Sequence, residues 1–92
     1  VTEPLRRVEG GKWDLNRGEF SYQRAEDGTV KWVHFWPVDC PCPLAVPIAP
    51  LRNGNNATWT LHGTEDAPTL QPSVNAVDIW HGYLTDGVAR KC

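Results

Sequence analysis

Apolar and polar residues alternate on both sides of Asp27-Gly28 in the segment EFSYQRAEDGTVKWVHFW, residues 19–36. Strict alternation flanking an Asp-Gly pair is the strongest short-range signal of a β-hairpin, because the pair supplies the positive φ angles a tight turn needs. On the first strand Phe20 and Tyr22 share a face. On the second, Val30, Trp32, His34 and Trp36 point one way, Val33 and Phe35 the other. Side chains in a strand point alternately to opposite faces, so a strand with large apolar groups on both sides is covered on both. The pattern predicts that it is central.

The flanking segments are less regular. Residues 1–18 mix charge with Gly and keep no period, which predicts an extended arm leading into one β domain over 19–92, with Val8 and Trp13 as anchors. Residues 37–50 (PVDCPCPLAVPIAP) are rich in proline, which cannot donate to a sheet ladder, so they read as loop plus an edge strand at Leu44–Ile48. Arg52–Asn56 reads as a turn, Ala57–His62 as a strand with Trp59 and Leu61 inward, and Thr69–Val74 as an extended crossing broken by Pro72. Ile79–Thr85 and Val88–Lys91 flank Asp86-Gly87 in a second hairpin. No helical period is sustained anywhere. The expected fold is all-β: a small barrel or sandwich of short antiparallel strands.

Composition agrees with this reading. Eight Pro and eight Gly in 92 residues suit a turn-rich β protein rather than a helical bundle. A net charge of −2 argues against a nucleic-acid binder, which would carry a basic face. No apolar run approaches the roughly 20 residues of a membrane-spanning helix, and the start has no signal-peptide pattern. With three Cys, a fully disulfide-paired framework within one chain is excluded, and the expected state is free or metal-bound thiol.

Cys40-Pro41-Cys42 is the first candidate site, because two thiols one residue apart reach one metal ion and thiolates suit zinc or an iron–sulfur cluster. Asp78 and His81 offer a second half, with His34 and Cys92 in reserve. The same residues read equally as a packed loop and a turn histidine. Ser73, His81 and Asp78 are the only Ser-His-Asp combination, and they lack a nucleophile-elbow motif, so the sequence ranks them low. Of five Trp, Trp32, Trp36 and Trp59 fall on strand positions that predict core, leaving Trp13 and Trp80 as candidate protein-binding residues.

Three fragments, Cys40-Pro41-Cys42, Asp66–Val74 (DAPTLQPSV) and Trp80–Gly87 (WHGYLTDG), resemble a family of small phage and prophage proteins often labelled ammonia monooxygenases. The resemblance spans roughly residues 32–91. The tail in turn looks like the second half of a Rieske motif, which holds an iron–sulfur cluster with two Cys and two His. On that resemblance Cys40 matches the first Cys and His81 the second His, while Cys42 stands where Rieske proteins have His and Asp78 where they have Cys. Aspartate is a poor cluster ligand, so the resemblance implies a Rieske-like topology with either a zinc site of Cys40, Cys42, His81 and Asp78 or no metal.

The sequence therefore points to a non-enzymatic, phage-type accessory protein in the virion or host cytoplasm, binding a protein partner such as a capsid. A zinc-stabilised or degenerate Rieske-like module is the alternative, and an inhibitor of a host enzyme or defence system is the third reading.

Overall fold

The computed structural model describes residues 3–49, 58–76 and 78–92, and the chain is all-β. The turn expected at Arg52–Asn56 and the start of the strand expected at Ala57 lie outside the described residues.

The first hairpin forms as the alternation predicts. Strand β3 (Glu19–Arg24) pairs antiparallel with β4 (Val30–Phe35), placing Phe20 opposite Phe35 and Ser21 opposite His34. Asp27 closes the turn by accepting the Thr29 N–H on Oδ1 at 2.9 Å. On its other edge β4 pairs with β5 (Leu44–Pro47), so β4 is central, and Val33, His34 and Phe35 are all buried. The proline-rich segment gives the edge strand expected of it, and Ile48 continues into a parallel bridge with Trp59.

The lead-in residues pack on their own domain. Strand β1 (Glu3–Pro4) pairs with β10 (Val88–Lys91), and β2 (Arg6–Arg7) runs parallel to β3. Leu5 and Leu15 are the buried anchors, at 7% and 4% exposure, in place of the expected Val8 and Trp13.

The second hairpin joins β9 (Trp80–Thr85) to β10 through Asp86 and Gly87, both at positive φ (49° and 78°), as a tight two-residue turn requires. Strand β8 (Val74–Ala76) pairs with the other edge of β9, completing a sheet ordered β1-β10-β9-β8. The second four-stranded sheet is β2-β3-β4-β5, and β6 (Thr60–Thr64) with β7 (Ala67–Gln71) forms a separate two-stranded ribbon. Phe20, Val33, Phe35 and Val46 from one large sheet share a core with Val74, Trp80, Leu84 and Ala89 from the other. Leu70 of the ribbon joins the same core. The ribbon is tied to β2 and β3 at its tip: Arg7 pairs with Asp66 at 3.2 Å, the Tyr22 hydroxyl donates to the Glu65 carbonyl at 2.6 Å, and Arg24 pairs with the Glu65 carboxylate at 2.7 Å.

Candidate functional site

The motif Trp80-His81-Gly82 is built around a side chain that is missing. A Cβ on Gly82 would lie 2.2 Å from the Arg90 carbonyl oxygen and 2.6 Å from the Trp80 ring, so only glycine leaves room for the indole. Trp80 fills that room at 2% exposure, meets Phe35 edge-to-face at 5.9 Å, and donates its Nε1–H to Asp39 Oδ1 at 2.8 Å. The proline-rich loop and the start of β9 are thereby joined. With Trp80, Gly82 and Leu84 facing inward, strand alternation sends His81, Tyr83 and Thr85 outward.

His81 meets Ser73 there. Between β8 and β9 Asp78 stands at φ 65°, and the Ile79 N–H donates to the Ala76 carbonyl at 2.8 Å. The register places Asn75 directly opposite His81, and Ser73 one alternation further along the same outer face. Ser73 Oγ lies 3.3 Å from His81 Nε2, within hydrogen-bond reach. The Ser73 backbone is fixed from the other side, its carbonyl accepting the Trp59 Nε1–H at 3.1 Å. Two surface depressions meet at the pair. Ser73 lines a trough of about 640 Å³ between β7 and β9, with Gln71, Tyr83 and Thr85 in its walls. His81 lines a shallower one of about 300 Å³ with Asn75, Asp78 and Ile79.

A second Ser-His pair, Ser21 and His34, is opposed across β3 and β4. Both are buried, at 1% and 6% exposure, and Ser21 Oγ and His34 Nδ1 have no hydrogen-bond partner among the described residues. Burial pushes the His34 imidazole below its ordinary pKa, and the charge of Lys12 adds to this. Burial makes this pair part of the interior.

The residues expected to hold a metal stay apart. Cys40 is buried at 1% exposure and its thiol donates to the Cys42 carbonyl at 3.0 Å, while burial pushes its pKa up. Asp78 and His81 share the shallow depression, which Cys40 and Cys42 do not line. Among the described residues no group of three His, Cys, Asp or Glu side chains could hold a metal ion. Trp13 is 79% exposed, with the Lys12 ammonium over its ring at 4.9 Å. Trp80, also expected on the surface, is core. Apolar Ile79 and Tyr83 on the outer face, and a glycine on the inner one, disguise which register of β9 faces inward.

Sequence reasoning named Ser73, His81 and Asp78 together but ranked them low for want of a nucleophile elbow. The structure joins Ser73 to His81 and brings Asp78 to the same depression without a hydrogen bond to the imidazole. Asn75 went unnoticed, since only the β8–β9 register sets it across from His81.

Residues 7–92 match the family model described as bacterial ubiquitination-like system serine protease (BubE). No curated protein and no solved structure matches the chain. The family match overturns two expectations: the chain is not a phage virion or capsid component, and the non-enzymatic reading gives way to a protease family. The virion location falls with the first. No helix among the described residues is long and apolar enough to cross a membrane.

Proposed function

The chain belongs to the BubE family of bacterial ubiquitination-like system serine proteases, and from that premise we propose that Ser73 and His81 are its nucleophile and general base. The observation that carries this is the 3.3 Å approach of Ser73 Oγ to His81 Nε2 on an open face of the sheet. A serine hydroxyl is a weak nucleophile until a neighbouring imidazole takes its proton, and that partner must stand within hydrogen-bond reach. The buried Ser21–His34 pair offers no such access.

The chemistry follows in two halves. Ser73 Oγ attacks the carbonyl carbon of the scissile amide while its proton passes to His81 Nε2. The C–N bond then breaks, His81 returns the proton to the departing amine, and the acyl group stays on Ser73 as an ester. A water molecule, deprotonated by His81, attacks that ester; the acyl C–Oγ bond breaks as His81 returns the proton to Ser73 Oγ, releasing a carboxylic acid and the free serine. Ubiquitination-like attachment joins the carboxyl end of one protein to an amine of another, so the substrate class is that amide, and the partners are proteins. An alkyl fluorophosphonate tests the reading. It is expected to label Ser73, found by peptide mapping, and to lose that labelling in His81→Ala. Labelling of Ser21, or none in the folded wild type, would count against it.

A further inference from the structure

The two depressions that meet at Ser73 and His81 are unequal, and the chemistry of acyl transfer gives them different occupants. This inference rests on the Ser73–His81 reading and deepens it. We propose that the acyl segment of the substrate lies as an extended, uncharged chain in the trough between β7 and β9, and that the amine-bearing lysine side chain leaves over Ile79 on the far side of His81.

Direction comes first. In acyl transfer the imidazole protonates the leaving nitrogen, so that nitrogen sits on the histidine's side, while the acyl group stays with the serine. Ser73 is in the wall of the trough, and His81 is in the wall of the shallow depression beyond it. The pair therefore stands at the junction, with the acyl side toward Gln71 and Tyr83 and the leaving side toward Asp78 and Ile79.

The shape and chemistry of each side fit those occupants. The trough runs from Ser73 toward Thr69 and Thr85, along Tyr83 and Thr85, which alternate outward on β9. Its β9 wall, from Tyr83 to Thr85, is two residues of strand, roughly 7 Å, which is room for the first two or so extended residues of the acyl chain. Among the described residues its walls carry hydroxyl, amide and apolar groups and no charged side chain, which suits an uncharged chain lying flat. Its far end is closed where the Asp86 N–H donates to Thr69 Oγ1 at 2.8 Å. The leaving side differs. Ile79 is 43% exposed beside His81, an apolar surface for the methylenes of a lysine, with the charged groups of Asp78 and Lys91 around it to meet the polar backbone that carries it.

The test uses the folded full chain and two pairs of probes. Labelling rates with an acetyl-tetraalanyl phosphonate and with a small alkyl fluorophosphonate measure the acyl side. Hydrolysis of an acetyl-tetraalanyl methyl ester, and of the same acyl group on the ε-amine of a lysine peptide, measures the leaving side. Gln71→Trp, which fills the trough, is expected to lower the tetraalanyl-to-alkyl labelling ratio at least tenfold, and Ile79→Lys to leave that ratio unchanged. Ile79→Lys is expected to lower the isopeptide-to-ester hydrolysis ratio at least tenfold, and Gln71→Trp to leave that one unchanged. The reverse pattern, equal effects of the two substitutions, or a wild type that labels no faster with the tetraalanyl probe would overturn the assignment while leaving Ser73 as nucleophile. Loss of Ser73 labelling by both probes in the wild type would instead remove the underlying reading.

Discussion

Trp80 donates its indole N–H to Asp39 at 2.8 Å, linking residues 41 apart in sequence and fixing the strand that carries His81 to the proline-rich loop. A hydrogen bond to an ionised acceptor is worth about 1.5–3 kcal/mol, and Trp80 is too buried to replace Asp39 with water. Asp39→Ala is therefore expected to cost about 1.5–3 kcal/mol in urea unfolding. Asp39→Asn keeps an acceptor oxygen and is expected to recover most of that. Equal losses in the two variants would mean that the loop, rather than this bond, is what the substitution disturbs.

Gly82 bears on the same strand from beneath. A methyl group there must displace both the Trp80 ring and the Arg90 carbonyl, and the latter is backbone of the paired strand β10. Gly82→Ala is expected to destabilise by about 3 kcal/mol, at the upper end for overpacking, and to shift tryptophan emission toward the red as Trp80 is expelled. An unchanged midpoint and spectrum would show that the β9–β10 ladder yields without cost.

The two hairpins were legible because each carries its own local signal: alternation around Asp27-Gly28 and around Asp86-Gly87. The edge strand at Leu44 was legible because proline bars the centre of a sheet. The site was not, and the reason lies in one unread turn. In sequence the segments ending at Val74 and beginning at Ile79 read as separate extended pieces, although Asp78 between them is a residue that tolerates the left-handed region. Pairing Val74 with Gly82 across that turn brings Ser73 to His81 at once. The cysteines misled for the opposite reason. Two thiols one residue apart look alike in sequence, but the fold turns Cys40 into the core and leaves Cys42 half-buried.

Two buried groups contribute to the response to acid. Glu19 accepts the Asn16 N–H at 2.7 Å and pairs with Arg6, which together hold its carboxyl below the ordinary 4.5. Its stabilisation is present above that value and lost as pH falls below it, because the unfolded chain takes up a proton that the native carboxylate resists. His34 lies below its ordinary 6.5, through burial first and Lys12 second. Its neutral form is favoured in the native state, so its contribution is complete above 6.5 and declines as pH drops beneath. The signs agree, so the urea midpoint is expected to fall in two stages on acidification. His34→Phe should remove the upper stage and Glu19→Gln reduce the lower, to which Asp27, held low by its hydrogen bonds with Thr29, also contributes. A midpoint that holds steady between about pH 7.5 and 5.5 would contradict the first stage.

The thiols differ in reach and in ionisation. Cys92 is exposed and Cys42 half-buried, whereas Cys40 is covered and held in the thiol form by burial. Since the thiolate is the reactive species, iodoacetamide is expected to modify Cys92 first and Cys40 at least about 100-fold more slowly, until urea opens the core. Mass mapping of each peptide over time reads this directly. Rapid native alkylation of Cys40 would mean that the loop opens far more readily than its packing implies.

The Ser73–His81 pair makes a prediction in which the double variant matters more than either single one. Groups that act as a unit in acyl transfer do not contribute additively, because removing either one halts the same proton transfer. Ser73→Ala and His81→Ala are each expected to lower kcat/KM on an isopeptide by about 10⁴-fold or more, and the double variant by no more than the worse of the two. Both side chains lie on the outer face, so the three proteins should unfold within about 0.5 kcal/mol of wild type, as surface substitutions do. Effects that multiply in the double variant would mean that the two residues act separately, for instance with Ser73 holding substrate and another group attacking the carbonyl. A single variant retaining wild-type kcat/KM would remove that residue from the reaction altogether.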